Sequence, residues 1–292
     1  MSGCGRIVVF GGMGQVGQAL LRQDTEGRAI SLGHEQADLT DPGSLDAALD
    51  KHAPELVINA AVFQPVDLCE TEVRRAFAVN ATGPGFLAAA CKSRGIRLVH
   101  ISTDYVFDGA QRTPYCETDC PVPLNVYALS KLAGEHVVLT ADPTHCVVRT
   151  SSVYGRLLPE RGTATFVERM LQRARGGEAT RVVDDQIVSP TYVEDFAAAL
   201  WQLAGSEAAG LLHLAGSTPA SWYEVAEAVF RFAGRPDLLA RTTSAEYAAP
   251  APRPPYSALR SARLNDLGID PLPGWKDGLR RHFAAAHPEL AG

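Results

Sequence analysis

A tyrosine and a lysine four residues apart are the side chains of this sequence best suited to acid–base chemistry. Tyr127 and Lys131 lie in a segment, 126–138, whose pattern predicts a helix. Residues i and i+4 share one face of a helix, so the phenol and the ammonium can point into one site. A nearby ammonium lowers the pKa of a phenol, because an opposite charge favours the phenolate. We therefore expect Tyr127 to give a proton to a carbonyl oxygen as hydride reaches the carbon.

Two hydroxyl residues follow the apolar run 97–101, at the carboxyl end of a predicted strand. Ligands of open α/β sheets bind at that edge. A hydroxyl there, from Ser102 or Thr103, can donate a hydrogen bond to the developing oxyanion. Spacing alone does not choose between the two residues.

A glycine-rich loop follows the first predicted strand, 7–10, and opens a predicted helix, 15–23. In this position glycines permit a tight turn, a close approach of the backbone to a pyrophosphate and close packing of the helix on the strand. The amino end of the helix offers unpaired N–H groups to the phosphates. The loop predicts a dinucleotide site that includes Gly11, Gly14, Gln15, Val16 and Gly17.

The end of the second predicted strand, 29–32, bears on the choice of cofactor. NAD sites usually carry an acid there that holds the ribose 2′-hydroxyl. No carboxylate stands at this strand end, and His34 could instead face a 2′-phosphate, although a solvated loop histidine is the alternative. We expect NADPH as cofactor, with NADH as the alternative. Asp38 could reach the adenine amino group.

The elements expected around these residues alternate between strand and helix, which predicts a parallel sheet covered on both faces. The fold class is thus α/β: a Rossmann doubly wound parallel sheet with a smaller, partly discontinuous C-terminal substrate lobe. The predicted division is 1–150 for the dinucleotide-binding domain, with a return of the chain near 193–216, and 151–292 mainly for the substrate lobe. The remaining predicted strands are 56–59, 97–101, 146–149 and 211–214. The remaining predicted helices are 45–51, 73–80 running on to 92, 126–138, 165–174, 193–203 and 222–232. A proline-rich segment, 248–256, should be irregular.

Composition excludes several other classes of protein. The net charge of −6 gives no reason to expect a nucleic-acid or membrane-surface partner. No apolar run approaches the roughly 20 residues of a membrane helix, and the amino-terminal segment does not resemble a signal peptide. The six cysteines, including Cys4, form no zinc pattern and are expected to be reduced, as in a cytoplasmic protein.

Together, several further motifs make the sequence resemble the dTDP-4-dehydrorhamnose reductase family of extended short-chain dehydrogenase/reductases. The resemblance covers essentially the whole chain. It rests on the glycine loop, the Tyr127–Lys131 helix and the segments 59–61, 102–109, 132–135, 149–151, 153–155, 184–191, 210–216, 221–223 and 253–257.

The resemblance implies reduction of a 4-keto group on a dTDP-6-deoxyhexose, in dTDP-L-rhamnose or related deoxysugar biosynthesis. It implies that Thr103 assists the carbonyl oxygen, that Tyr127 is the proton donor, and that Lys131 holds the nicotinamide ribose. Asp38, Leu39, Ala60 and Ala61 would line the adenosine half of the cofactor. The implied substrate residues are Thr103, Asp104, Val106, Ser151, Ser152, Gln186 and Arg253.

Two departures from the family bear on the sugar. The family commonly carries tryptophan where this chain has Ser152, which opens space and removes a stacking face. The loop 63–67 also differs from the pattern expected at the sugar side. Both affect which keto-sugar fits, while leaving the hydride chemistry intact.

Some members of the family use magnesium at a dimer interface. No such ligands match here residue by residue, so we predict no metal site, and we expect Asp184 and Asp185 to be solvated or capping groups. A homodimer is the oligomeric state that we expect.

Two other functions use the same scaffold. One is a non-catalytic regulatory subunit of the methionine adenosyltransferase type. The other is a sugar-nucleotide epimerase or dehydratase, for which Asp104 stands where a proton-abstracting carboxylate would be needed.

Overall fold

The computed structural model describes residues 5–156 and 164–290. Cys4 lies outside these residues, and the other five cysteines carry free thiols. Among the described residues, no helix is both long enough and apolar enough to cross a membrane.

A six-stranded parallel sheet forms the centre of the described chain, in the spatial order β2-β1-β3-β4-β5-β10. Its strands are β1 (Ile7–Phe10), β2 (Ala29–Leu32), β3 (Leu56–Asn59), β4 (Arg97–Thr103), β5 (Cys146–Thr150) and β10 (Gly210–His213). The chain leaves β1 for β2 on one side and later crosses to β3 on the other. The carboxyl ends of β1 and β3 therefore flank a topological switch point, where ligands of such sheets bind.

Helices cover both faces of this sheet because its strand residues are apolar on both sides. Ile7 and Val9 belong to one hydrophobic cluster, which includes α1 (Gln15–Gln23) and α8 (Val193–Ala204). Val8 and Phe10 belong to a second cluster, which includes α2 (Pro42–His52), α5 (Gly83–Ser93) and α6 (Val126–Ala141). Successive strand residues point to opposite faces, so each strand contributes to both clusters. The predicted fold class is confirmed.

Most of the remaining elements build a second region around its own apolar cluster. Its short strands pair as β6 with β9, β7 with β12, and β8 with β11. These strands are β6 (Val153–Tyr154), β7 (Thr180–Val183), β8 (Ile187–Val188), β9 (Thr191–Tyr192), β11 (Ala220–Ser221) and β12 (Leu239–Thr242). The other helices are α3 (Val66–Cys69), α4 (Val73–Phe77), α7 (Phe166–Gly176), α9 (Trp222–Phe232), α10 (Ser244–Tyr247) and α11 (Trp275–Ala286). The predicted division of the chain at residue 150 stays a prediction.

One predicted helix is wrong in detail. The segment expected to run as one helix from 73 to 92 consists of α4, a wider π-type turn over Ala78–Thr82, and α5. Pro84 explains the interruption: proline donates no backbone hydrogen bond and its ring clashes with the carbonyl four residues earlier, here that of Asn80. The wide turn relieves this clash.

Candidate active site

The glycine loop joins the ends of β1 and β3 at the switch point. Gly11 has a φ of +72°, and a Cβ atom on it would lie 2.5 Å from the backbone nitrogen of Ala61 and 2.7 Å from the carbonyl carbon of Ala60. Only glycine permits this approach. The structure thus brings together three residues that were predicted to contact the cofactor.

The start of α1 is arranged as a cradle for phosphate. Gly14 precedes the helix and has no side chain. It therefore does not cap the backbone amides of the first turn, around Gln15 and Val16. A Cβ atom on Gly17 would lie 2.3 Å from the Cα atom of Gly12, so glycine lets the helix start pack directly on the loop. Gln15 donates from Nε2 to the carbonyl oxygen of Arg156 at 2.7 Å.

The predicted cofactor residues that follow β2, at positions 34, 38 and 39, have different environments. The His34 side chain is 79% exposed, and its Nδ1 lies 3.7 Å from Oδ1 of Asp38, so the ring is open to an anionic group. The backbone amide of Thr40 lowers the pKa of Asp38 by donating to its carboxylate. The Leu39 side chain is buried in the core.

At the end of β4, the hydroxyls of Ser102 and Thr103 point to opposite sides, as successive strand residues do. The Ser102 hydroxyl donates to Oε1 of Glu135 at 2.6 Å. The Thr103 hydroxyl accepts from the backbone nitrogen of Tyr105, donates to Asp104 and lies beside the hydroxyl of Tyr127. Of the two candidates, the geometry favours Thr103 as the residue that contacts the carbonyl oxygen.

Helix α6 carries Tyr127 and Lys131 on one buried face. The helix begins after Asn125, whose Oδ1 accepts from the backbone nitrogen of Ala128 at 2.8 Å and so caps the first turn. Tyr127 is 8% exposed and Lys131 is 2% exposed. The Nζ atom of Lys131 donates to the carbonyl oxygen of Ile101 at 2.7 Å.

The expected effect of Lys131 on Tyr127 is wrong for this structure. Burial raises the pKa of Tyr127 above its ordinary value, and the hydrogen bond with Thr103 opposes this only in part. Burial lowers the pKa of Lys131 to about 8, against the attraction of Glu135. The lysine interacts with the carbonyl of Ile101, while the phenol lies in an apolar cluster beside Phe63. Tyr127 therefore keeps its proton, as a proton donor must.

Asp104 is 3% exposed and accepts hydrogen bonds from three hydroxyls, those of Thr103, Ser151 and Ser257. Burial raises its pKa to about 6, although these hydrogen bonds lower it. Ser151 is tied to Asp104 in the same network. Two predicted substrate residues, Asp104 and Ser151, are thus part of one hydrogen-bond network with Thr103.

The other predicted substrate residues are dispersed. Val106 is fully buried in an apolar cluster, and Gln186 donates from Nε2 to the hydroxyl of Ser244 at 2.8 Å. Arg253 forms two hydrogen bonds to the carboxylate of Asp67, at 2.6 and 2.9 Å. This ion pair joins the proline-rich segment to α3, the short helix that follows β3.

A family profile, described as the RmlD substrate binding domain, matches residues 5–287. The chain belongs to this family. A dTDP-4-dehydrorhamnose reductase of Mycobacterium tuberculosis is 44% identical, over 96% of this chain and 93% of that protein. A probable dTDP-4,6-dihydroxy-2-methyloxan-3-one 4-ketoreductase of Streptomyces antibioticus is 38% identical, over 97% of both chains.

Solved structures agree with this family. A dTDP-4-dehydrorhamnose reductase of Bacillus anthracis, crystallised in complex with NADP, superposes with a TM-score of 0.91 at 31% identity, over 97% of this chain and 99% of that chain. A UDP-glucose 4-epimerase of Thermus thermophilus superposes with a TM-score of 0.82 at 23% identity, over 96% of this chain and 99% of that chain. The second likeness concerns the fold alone.

As a member of the RmlD family, the chain departs from the expected tryptophan at Ser152, and its backbone there is unusual. Ser152 has a φ of +48°, a left-handed conformation that costs a non-glycine residue roughly 1–2 kcal/mol. Its side chain is half-buried, next to the hydroxyl of Ser151.

Sequence reasoning missed a polar pair behind Lys131. Asn59 ends β3 and His100 lies opposite it in β4, and both side chains are fully buried. A histidine within an otherwise apolar strand was the available signal. The pairing of Asn59 with His100 could be known only from the register of two strands that are distant in sequence.

The described residues contain one group with metal-ligand chemistry, formed by Glu168, His282 and His287. One oxygen of Glu168 lies 2.8 Å from Nε2 of His282 and 2.9 Å from Nε2 of His287. The carboxylate oxygen therefore occupies the point on which both rings converge, and the group is a hydrogen-bonded cluster. Asp184 and Asp185 accept hydrogen bonds from Ser221 and Ser244, respectively.

Proposed function

We propose that the protein uses NADPH to reduce the 4-keto group of a dTDP-linked 6-deoxyhexose. The observation that carries this proposal is the buried Tyr127, whose hydroxyl lies beside that of Thr103 at the carboxyl end of the sheet and which shares a helix face with Lys131. The glycine cradle at Gly11 lies at the same edge. Relatives named as reductases of dTDP-linked keto-sugars support the substrate class.

The residues at this edge fit a dinucleotide. A side chain at Gly11 would fill the space beside Ala60 and Ala61, and the start of α1 offers amides to a pyrophosphate. The exposed ring of His34 supports NADPH, because it is free to face a 2′-phosphate. When bound, the nicotinamide supplies a hydride. Lys131 is the residue that we assign to the nicotinamide ribose.

The chain's own contribution is to position the keto group and supply a proton. The hydroxyls of Thr103 and Tyr127 are adjacent, so both can donate to one carbonyl oxygen when the Thr103 hydroxyl turns away from Asp104. Tyr127 then transfers its proton as negative charge develops on that oxygen. The apolar cluster around Tyr127 and Phe63 excludes water from this transfer.

Asp104 does not favour the dehydratase alternative. A carboxylate that abstracts a proton from substrate must face it, whereas the Asp104 oxygens already accept from Thr103, Ser151 and Ser257. No described contact specifically favours a regulatory subunit.

The test is NADPH oxidation, followed by absorbance, with dTDP-4-keto-6-deoxy-L-lyxo-hexulose as substrate. The same assay with NADH gives the cofactor preference. Rapid oxidation supports the proposal. Binding of NADPH without turnover on this sugar, and on other dTDP-linked 4-keto-6-deoxyhexoses, would contradict it and support a regulatory role.

We place this activity in the cytoplasm, where free thiols such as the five described here stay reduced. The predicted homodimer stays a prediction, and analytical ultracentrifugation would test it.

A further inference from the structure

A continuous line of polar groups runs from the backbone of Ala61, beside the glycine loop, through buried side chains to Lys131. The backbone nitrogen of Ala61 donates to Oδ1 of Asn59 at 3.1 Å. Nδ2 of Asn59 lies 3.0 Å from Nδ1 of His100, and Nε2 of His100 lies 3.2 Å from Nζ of Lys131. The side chains of Asn59, His100 and Lys131 are at most 2% exposed.

The backbone amide at one end of this line sets the direction of its hydrogen bonds. A backbone N–H can only donate, so the Asn59 atom that faces Ala61 is the amide oxygen. The amide nitrogen of Asn59, which only donates, therefore faces Nδ1 of His100. Nδ1 must accept, and in a neutral imidazole the proton is then on Nε2.

This tautomer places an N–H group against the lysine nitrogen. An ammonium has three donors and no acceptor, so it cannot accept from Nε2–H of His100. A neutral amine has a lone pair for His100 and retains an N–H for the carbonyl oxygen of Ile101, which lies 2.7 Å away. The observed contacts are all satisfied only if Lys131 is uncharged.

We propose that Asn59 and His100 are positioning residues that hold Lys131 as a neutral amine in the cofactor-free protein. They act through the lysine and not on substrate. Protonation of Lys131 then requires the His100 ring to move its proton to Nδ1, which the Asn59 amide opposes. The lysine thereby becomes a group that can take up a proton near neutral pH.

The surrounding charges are compatible with this state. The titratable groups near the line on α6 are Tyr127 and Glu135, and on β5 Arg149. Glu135 is already paired with Arg149, with Nη2 2.6 Å from Oε2, and accepts from Ser102. Burial lowers the pKa of both His100 and Lys131.

The first experiment is NMR on the cofactor-free wild-type protein. Two-bond ¹H–¹⁵N spectra distinguish the two histidine tautomers, and the His100 signal is assigned by its loss in His100→Gln. We expect the Nε2–H form. A charged ring or the Nδ1–H form at neutral pH overturns the proposal.

The second experiment titrates the lysines through their ¹³Cε signals, with Lys131 assigned by Lys131→Met. Because the proposal requires a neutral amine near neutral pH, we expect the Lys131 midpoint to lie at or below about pH 7, roughly three units below the exposed lysines, and a midpoint well above pH 8 overturns the proposal. In Asn59→Asp, a carboxylate accepts from Nδ1–H and frees Nε2 to accept from an ammonium, so the midpoint should rise by about one unit or more. Titration of wild-type Lys131 together with the exposed lysines overturns the proposal, as does an unchanged midpoint in a folded Asn59→Asp protein.

His145→Gln is the matched control, because His145 is also a buried histidine and the hydrogen bond of its ring in the described chain is with the carbonyl oxygen of Ala88. We expect it to leave the Lys131 midpoint unchanged. The inference rests on the proposed function for the role of Lys131. The NMR measurements require no turnover, so their failure is distinguishable from failure of the reductase assay.

Discussion

Burial of Tyr127 keeps its proton in place until a carbonyl oxygen needs it. An already ionised phenol could not act as an acid, so the raised pKa suits reduction of a keto group. Thr103, whose hydroxyl lies beside that of Tyr127, adds a second donor at the same point. Removal of either hydroxyl does not alter the glycine loop that we assign to the cofactor. Variants at these two positions should therefore affect catalysis without affecting cofactor binding.

Tyr127→Phe removes the proton donor and conserves the ring's packing. We expect kcat to fall by about a thousandfold, because a positioned acid contributes on the order of 10²- to 10⁴-fold. Cofactor affinity, measured by fluorescence titration, should change little. Tyr247→Phe, at a tyrosine that is 66% exposed, is the control and should keep full activity. Full activity in Tyr127→Phe would mean that another group donates the proton.

Ser152→Trp restores the residue that the family commonly carries. We expect a change in the ratio of kcat/KM between dTDP-linked keto-sugars that exceeds any change in cofactor affinity. The physical reason is that a bulky ring beside Ser151 would take up space next to Asp104 and Thr103. Steady-state kinetics on at least two sugars measures the effect. An unchanged substrate profile would show that residue 152 does not face the sugar.

Individual site residues could be predicted from the sequence where the relevant side chains are close along the chain. The shared face of Tyr127 and Lys131 follows from helical spacing alone. The choice of Thr103 over Ser102 needed the direction of each side chain from β4, and the role of His100 needed the register with β3. The direction of the Tyr127 pKa shift differs from the prediction, because burial of the phenol raises its pKa and the depth of burial cannot be obtained from spacing.

Among the elements, α6 is held against the π-type turn by one glycine. A Cβ atom on Gly134 would lie 2.1 Å from the carbonyl oxygen of Asn80, within that turn. The side chain of Asn80 in turn hydrogen-bonds to both backbone groups of Phe63 and to the hydroxyl of Ser130. The turn thus fixes both the catalytic helix and the loop after β3.

Gly134→Ala should displace α6 from this turn. We expect a loss of about 1–3 kcal/mol in the free energy of unfolding, typical of overpacking, together with a lower kcat. Urea denaturation and steady-state kinetics measure the two effects. Gly85→Ala on α5 is the matched control, since its Cβ atom would lie 3.4 Å from a Val137 methyl group. Equal stability of the two variants would contradict the close packing at Gly134.

The regular elements were predicted well because their signals are local. Six predicted strands match β1 to β5 and β10 to within two residues at either end, since apolar runs of parallel strands are continuous. The helix from 73 to 92 failed because the effect of Gly83 and Pro84 depends on whether a wide turn can be packed. The packing partner of that turn, Gly134, lies far away in sequence.

Across the whole molecule, Glu168 links α7 to the C-terminal helix through His282 and His287. Burial alone would raise the pKa of this carboxyl, but the hydrogen bonds from the two histidines lower it below its ordinary value of 4.5. A lowered folded pKa stabilises the protein above the unfolded pKa. That stabilisation is lost as the pH falls through the folded value.

Glu168→Gln should therefore lower the free energy of unfolding at pH 7 by about 2 kcal/mol. The difference from wild type should shrink as the pH falls below about 4.5 and should disappear once the pH passes the lowered folded pKa, where the wild-type carboxyl is also neutral. Urea denaturation across pH measures both effects. Glu207→Gln, at an exposed glutamate, should be neutral throughout. A pH-independent difference would show that the charge of Glu168 contributes nothing.

The position of β10 has a consequence for engineering. Strand β10 pairs with the edge of β5, and it follows α7 and α8 in the sequence. Arg97 in β4 donates to the carbonyl oxygens of Leu203, Ala204 and Ser206, at the end of α8. A fragment that stops after β5 would lack α8, which covers one face of the sheet, and would expose a strand edge that can template aggregation. New sugar specificity is therefore better transplanted as an exchange of internal segments than as a fusion at a single cut.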